Sequence, residues 1–152
     1  MENESTAIVL RLIDAFERLS RAEWRKKLML GIKGSEVRVL LCIDSLSHED
    51  NTLITVSEIS KRLMITSPSV TEFVKSLSIG GYVERCVDSK DKRVIDIMLT
   101  DRGQKLVQNI KNHLNLLFSD MLERLGQEKS HMLVELLDEV ILYLHEADIK
   151  TD

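Results

Sequence analysis

At 152 residues the chain is long enough for one hydrophobic core and short for two. It is 43% hydrophobic and 30% charged with a single proline, which excludes a disordered or collagen-like protein. The formal net charge is −4, but nine Lys or Arg stand against seven Asp or Glu between Ser57 and Lys105, and twelve against eighteen elsewhere, so a mildly basic middle is set in acidic flanks.

The first segment, roughly Glu4 to Leu28, predicts a long helix. Ile8, Leu12, Ala15, Phe16 and Leu19 recur at helical spacing, and Arg18, Arg21, Arg25, Lys26 and Lys27 make its second half basic. Gly31 to Gly34 breaks it. Ser35 is the expected cap of a second helix through Leu46, with Val37, Leu40, Leu41 and Ile43 as its apolar face. After the polar SHEDNT link, Thr55 and Glu58 match a capping box, and Ile59 and Leu63 supply the buried side of a short third helix.

A fourth helix follows almost at once. Thr66 or Ser67 caps it, Pro68 is tolerated in its first turn, and Val70, Phe73, Val74 and Leu77 face the core. Gly80-Gly81 ends it. Residues 82–87 and 94–99 read as two strands around a charged turn, DSKDKR, with Ile95, Ile97 and Leu99 on one face and Asp96 and Met98 on the other. Thr100 is the expected cap of a long helix to about Leu125, striped by Leu106, Ile110, Leu114, Leu117 and Met121. Gly126 separates it from a last helix, Glu128 to about Glu146, striped by Met132, Leu136, Val140 and Leu144.

The expected fold is therefore mainly α with a small β wing. A short helix, a tight turn, a second helix and a charged hairpin make a winged helix-turn-helix unit, placed at about residues 52–100. The terminal helices, about 1–30 and 104–150, carry apolar stripes broader than so small a unit needs. They are expected to form a dimerisation region covered by a second copy of the chain.

The major groove of B-DNA admits one helix. The polar face of the fourth helix, Ser67, Ser69, Thr71, Glu72 and Lys75, is the candidate base-reading and phosphate-binding surface, the alternative being a simple solvated face. Glu72 is out of place near a phosphate backbone unless it accepts from a cytosine amine or pairs with Lys75. On the wing tip, Lys90, Lys92 and Arg93 are candidates for the negative potential of the minor groove, with Asp91 bracing the loop through Arg93 or a neighbouring backbone amide. A plain polar hairpin turn is the alternative there.

The segment from Ile54 to Leu106 resembles the central signature of the MarR family of multiple-antibiotic-resistance-type regulators. The most specific piece is Asp88-x-x-Asp91-x-Arg93, followed by Leu99-Thr100-x-x-Gly103. The resemblance implies a homodimeric double-stranded DNA-binding transcriptional regulator, a repressor released by a small aromatic or amphipathic ligand. It implies a pseudo-palindromic operator, with recognition helices in successive major grooves and wings in flanking minor grooves. Arg93 is then the wing arginine and Asp91 its organiser. The ligand site it implies lies where the terminal helices meet the winged lobe, with Phe16, Leu19 and Trp24 as its candidate residues, which equally suit core or interface. The chain departs from the family in Glu72, where arginine is frequent, and in Ser78-Ile79, where acidic residues are.

Other classes find less support. No GxGxxG, P-loop, HExxH or GxSxG motif is present, so an enzyme is not expected. A winged helix reused as a non-catalytic protein-interaction module, or a regulator without an inducer, is the competing reading. Cys42 and Cys86 show no CxxC, and His48, His113, His131 and His145 form no local ligand motif, so neither a disulfide, a metal nor a cofactor is expected. The start carries no signal-peptide pattern and no run is apolar enough to span a bilayer, which predicts a cytoplasmic protein.

Overall fold

The computed structural model describes residues 2–22, 31–50, 53–87 and 90–149. Among the described residues six helices and one hairpin follow in chain order: α1 Glu2–Arg21, α2 Gly34–Ser47, α3 Val56–Leu63, α4 Ser67–Ile79, β1 Val83–Val87, β2 Ile95–Leu99, α5 Asp101–Leu125 and α6 Gln127–Ile149. This is a mostly helical chain with a two-stranded wing and long flanking helices. It divides into two compact units, Met1–Ile110 and Lys111–Asp152.

In the first unit, α2, α3 and α4 pack on one another, α2 also on β2 and α4 on β1. Their common core holds Val39, Leu40, Cys42, Ile43, Leu46, Ile54, Ile59, Val70, Val74, Leu77, Val83, Ile97 and Val107. Completely burying a side chain of this size contributes about 1.5–3 kcal/mol, so this core, rather than propensity, holds the short α3 in place. α1 differs. Every residue whose side chain is described there is exposed, Ile8, Leu12, Phe16 and Leu19 included. The helix expected to run to about Leu28 ends at Arg21, with Ala22 already outside it, and residues 23–28 lie outside the described residues.

Four further expectations need correction. The N-cap of α2 is Lys33, not Ser35: the Lys33 carbonyl accepts the Val37 N–H at 3.0 Å, and the Glu36 carboxylate reaches back to the Lys33 N–H at 3.4 Å. The face of α2 that is buried runs through Val39, Leu40, Ile43 and Leu46, whereas Val37 and Leu41 are only half-buried. On α3 Ile59 is buried but Leu63 half-buried, because the chain leaves the helix there. On β2 the expected alternation holds at Ile97, but Ile95 is exposed beside the wing turn, beyond the reach of the core.

The hairpin is antiparallel, with Val83 opposite Leu99 and Val87 opposite Ile95. Two strands alone are marginal, and Ile54 steadies them. Its carbonyl accepts the Ile97 N–H at 2.8 Å, and its own N–H donates to Asp96 Oδ1 at 2.9 Å.

The second unit comprises the rest of α5 and α6, joined through Gly126 at φ +80. Ser130 Oγ donates to the Gly126 carbonyl at 2.7 Å and closes that corner. Leu117, Phe118 and Leu122 on α5, and Met132, Leu136, Leu137, Ile141 and Leu144 on α6, are exposed. Among the described residues no helix is long and apolar enough to cross a membrane.

Candidate nucleic-acid interface

The turn between α3 and α4 sets how the second helix is presented. Thr55 caps α3, its Oγ1 accepting the Glu58 N–H at 3.2 Å. The helix ends at Met64, a non-glycine residue in the left-handed region at φ 55. Three groups hold that conformation. Ile65 N–H donates to the Ser60 carbonyl, Ser60 Oγ donates to the Ile65 carbonyl at 2.6 Å, and Arg38 donates to the Leu63 carbonyl at 3.3 Å. Arg62 Nη2 donates to both carboxylate oxygens of Glu49, at 2.8 and 3.1 Å, which ties α3 to the end of the preceding segment and raises the guanidinium pKa.

α4 starts at Thr66, whose Oγ1 accepts the Ser69 N–H at 3.4 Å and shares a 2.8 Å hydrogen bond with the Ser69 hydroxyl. Val70, Val74 and Leu77 are buried, while Ser67, Thr71, Glu72 and Lys75 are exposed. Ser69 is half-buried and tied to the cap. Thr71 Oγ1 donates to the Ser67 carbonyl at 3.0 Å. At about 100° per residue, the line opposite the core runs through Pro68, Glu72, Lys75 and Ile79. Of the five polar positions expected from sequence, Glu72 and Lys75 lie on this line, Thr71 to one side of it and Ser67 on the flank nearer the core. Pro68 and Ile79, which a search for polar residues passes over, share this line, and Ile79 is 81% exposed. Neither Glu72 nor Lys75 has an ion-pair partner among the described residues, so the Glu72–Lys75 pair is not formed.

Past α4, Gly81 at φ +74 turns the chain into the wing. The Leu99-Thr100-x-x-Gly103 segment closes on this turn. Thr100 Oγ1 donates to the Gly81 carbonyl at 2.6 Å and accepts the Gly103 N–H at 3.1 Å, while the Thr100 N–H donates to the Tyr82 carbonyl at 3.1 Å. A Cβ on Gly103 would fall 2.0 Å from the Tyr82 carbonyl oxygen, so only glycine lets α5 approach this closely. Arg102, also absent from the sequence reading, lies over the Tyr82 ring at 4.6 Å.

The wing tip places Lys90, Asp91, Lys92 and Arg93 on one exposed turn. Asp91 Oδ1 accepts the Arg93 N–H at 3.0 Å and its carbonyl accepts the Val94 N–H at 3.0 Å. Of the two roles expected for Asp91, the bond to a backbone amide is formed. The wing's Asp88 lies outside the described residues. Because β1 packs on α4, the cationic turn and the polar helix face are carried by one scaffold.

Of the expected ligand residues, Phe16 and Leu19 are exposed on α1, at 49% and 59%. Trp24 lies outside the described residues. Cys42 is buried, which raises its thiol pKa and disfavours the thiolate. Among the described residues no group of three or more His, Cys, Asp or Glu is placed to hold a metal ion.

Comparison with known proteins gives a consistent picture. A family model described as MarR family matches residues 30–94. The transcriptional regulator AdcR of Streptococcus pneumoniae is 34% identical over 102 residues, covering 63% of this chain and 68% of that protein. The HTH-type transcriptional regulator YdgJ of Bacillus subtilis is 29% identical over 107 residues, covering 70% of this chain but only 62% of its own length. Among solved structures, MepR of S. aureus, from a MepR–DNA complex, superposes with a TM-score of 0.65 at 21% identity, covering 91% of this chain and 97% of that one, a likeness of fold.

Proposed function

The chain belongs to the MarR family of winged helix-turn-helix transcriptional regulators, and from that premise we propose that it represses transcription as a homodimer bound to a pseudo-palindromic operator. Residues 52–100 form the DNA-binding lobe, and residues 1–30 with 104–150 the dimerisation region. In each protomer α4 enters the major groove, where Glu72 and Lys75 meet base edges and Ser67 and Thr71 the flanking phosphates. Lys90, Lys92 and Arg93 follow the adjacent minor groove. The observation that carries this reading is the pairing, on one packed scaffold, of a capped helix with an exposed polar face and a braced cationic turn.

The homodimer is supported by the exposed apolar stripes of α1, α5 and α6, which a second copy would cover. Release by a small aromatic or amphipathic molecule belongs to the same reading, supported by the apolar side chains of Phe16 and Leu19 standing open on α1. Anisotropy titrations of labelled duplexes test both parts. Specific binding should weaken steeply as salt rises, since cationic contacts release counterions from the DNA. A panel of phenolic acids should lower affinity while changing Trp24 fluorescence. Retention of no duplex at any salt would instead favour a protein-interaction module.

A further inference from the structure

We propose that Glu72 is a base-reading residue that selects a cytosine in each operator half-site. The inference rests on α4 being the recognition helix and adds what that helix reads. Glu72 occupies the outermost line of α4 with Pro68, Lys75 and Ile79, opposite the buried Val70, Val74 and Leu77. Glu72 and Lys75 are the two charged side chains on that outward line.

Glu72 also has no cation partner among the described residues: Lys75, one turn on, does not pair with it. An unpaired carboxylate carried toward a polyanion is repelled by every phosphate, whatever the sequence. Such a group is compatible with tight binding only where it finds a donor.

The major groove supplies few donors. Guanine presents N7 and O6 and thymine presents O4, all acceptors that repel a carboxylate. Adenine presents its N6 amine beside the N7 acceptor, so one carboxylate oxygen is bonded while the other is pressed against a lone pair. Cytosine presents its N4 amine with no acceptor next to it on its own major-groove edge. Of the four bases, cytosine alone gives Glu72 a donor with no acceptor on the same base; the neighbouring acceptor is the O6 of its paired guanine.

Lys75 complements this choice. Its ammonium is all donor and suits the O6 and N7 of a guanine, so the two central charges of α4 fit a C·G step read from both strands. Pro68 and Ile79, at the two ends of the line, offer apolar surface suited to thymine methyl groups.

Selection of bound duplexes from a randomised pool, repeated with Glu72→Gln and Glu72→Ala, tests the proposal. The native protein should enrich cytosine at one position per half-site, and replacing that base should weaken binding by at least about fivefold. The glutamine variant, with a donor and an acceptor in one amide, should shift that position to adenine. The alanine variant should lose the preference there and keep the rest of the site. Unchanged cytosine enrichment by the alanine variant, or uniformly tighter binding to every duplex, would overturn the assignment while leaving the DNA-binding reading intact. Failure of the native protein to enrich any duplex would overturn that reading, and the assignment with it.

Discussion

Arg93 and Cys42 are opposite cases of one side chain and its surroundings. Arg93 is exposed, and among the described residues the wing engages its backbone N–H, bonded to Asp91 Oδ1. Replacing Arg93 with alanine should therefore leave the fold alone, within about 0.5 kcal/mol as for most surface positions. Operator affinity should fall by roughly 1–2 kcal/mol, the scale of one specific arginine contact. Denaturation midpoints and anisotropy on the same preparation separate the two effects, and a large loss of stability would make Arg93 structural. Cys42 lies inside the core, where burial raises its pKa. The folded protein should resist alkylation at this thiol at neutral pH, which mass spectrometry of labelled peptides reads directly. A thiol pKa raised in the folded state stabilises the fold below the ordinary thiol value, and that contribution is lost as pH climbs through the raised value. Cys42 should thus add to alkaline destabilisation, an effect absent in Cys42→Ser.

Two backbone positions govern how α4 is held between its neighbours. Gly103 admits the Tyr82 carbonyl, and alanine there would force apart α5 and the turn after α4. Gly103→Ala should cost about 1–3 kcal/mol, the range for overpacking, and nearer the top because the obstacle is backbone. Met64 is the reverse case. It holds a left-handed conformation that costs a non-glycine residue about 1–2 kcal/mol, and its side chain is 69% exposed. Met64→Gly should raise stability by about 0.5 kcal/mol, the relief being partly offset by glycine's greater chain entropy. Urea denaturation of both variants checks the opposite signs.

Most elements were legible because their signals are local. Thr55, Thr66, Thr100, Gly81 and Gly126 punctuate the chain where sequence rules place them, and apolar spacing finds α4 and α5. What was hidden depends on contacts distant in sequence. The bond from Ile54 to Asp96 spans 42 residues, and nothing in either neighbourhood announces it. Ser35 looked like a cap, but Glu36 reaching back to Lys33 starts α2 earlier. The outward line of α4 was only half visible, since a search for polar residues passes over Pro68 and Ile79, and burial alone reveals which direction is outward.

For the molecule as a whole, the divide is between a winged lobe that closes its own core and helices that do not. Val107 and Ile110 of α5 are buried, but beyond them most large apolar side chains of α5 and α6 are exposed, as are those of α1. Stripes of this extent on an isolated chain invite association, and pairing by a twofold axis would set two copies of α4 beside one another for successive major grooves. The most direct measurement is sedimentation of the protein with its selected duplex across a salt series. Two chains should bind each duplex as a preformed dimer, with the logarithm of affinity falling linearly against that of salt. One chain per particle at working concentration, with no preference among duplexes at moderate salt, would contradict the account.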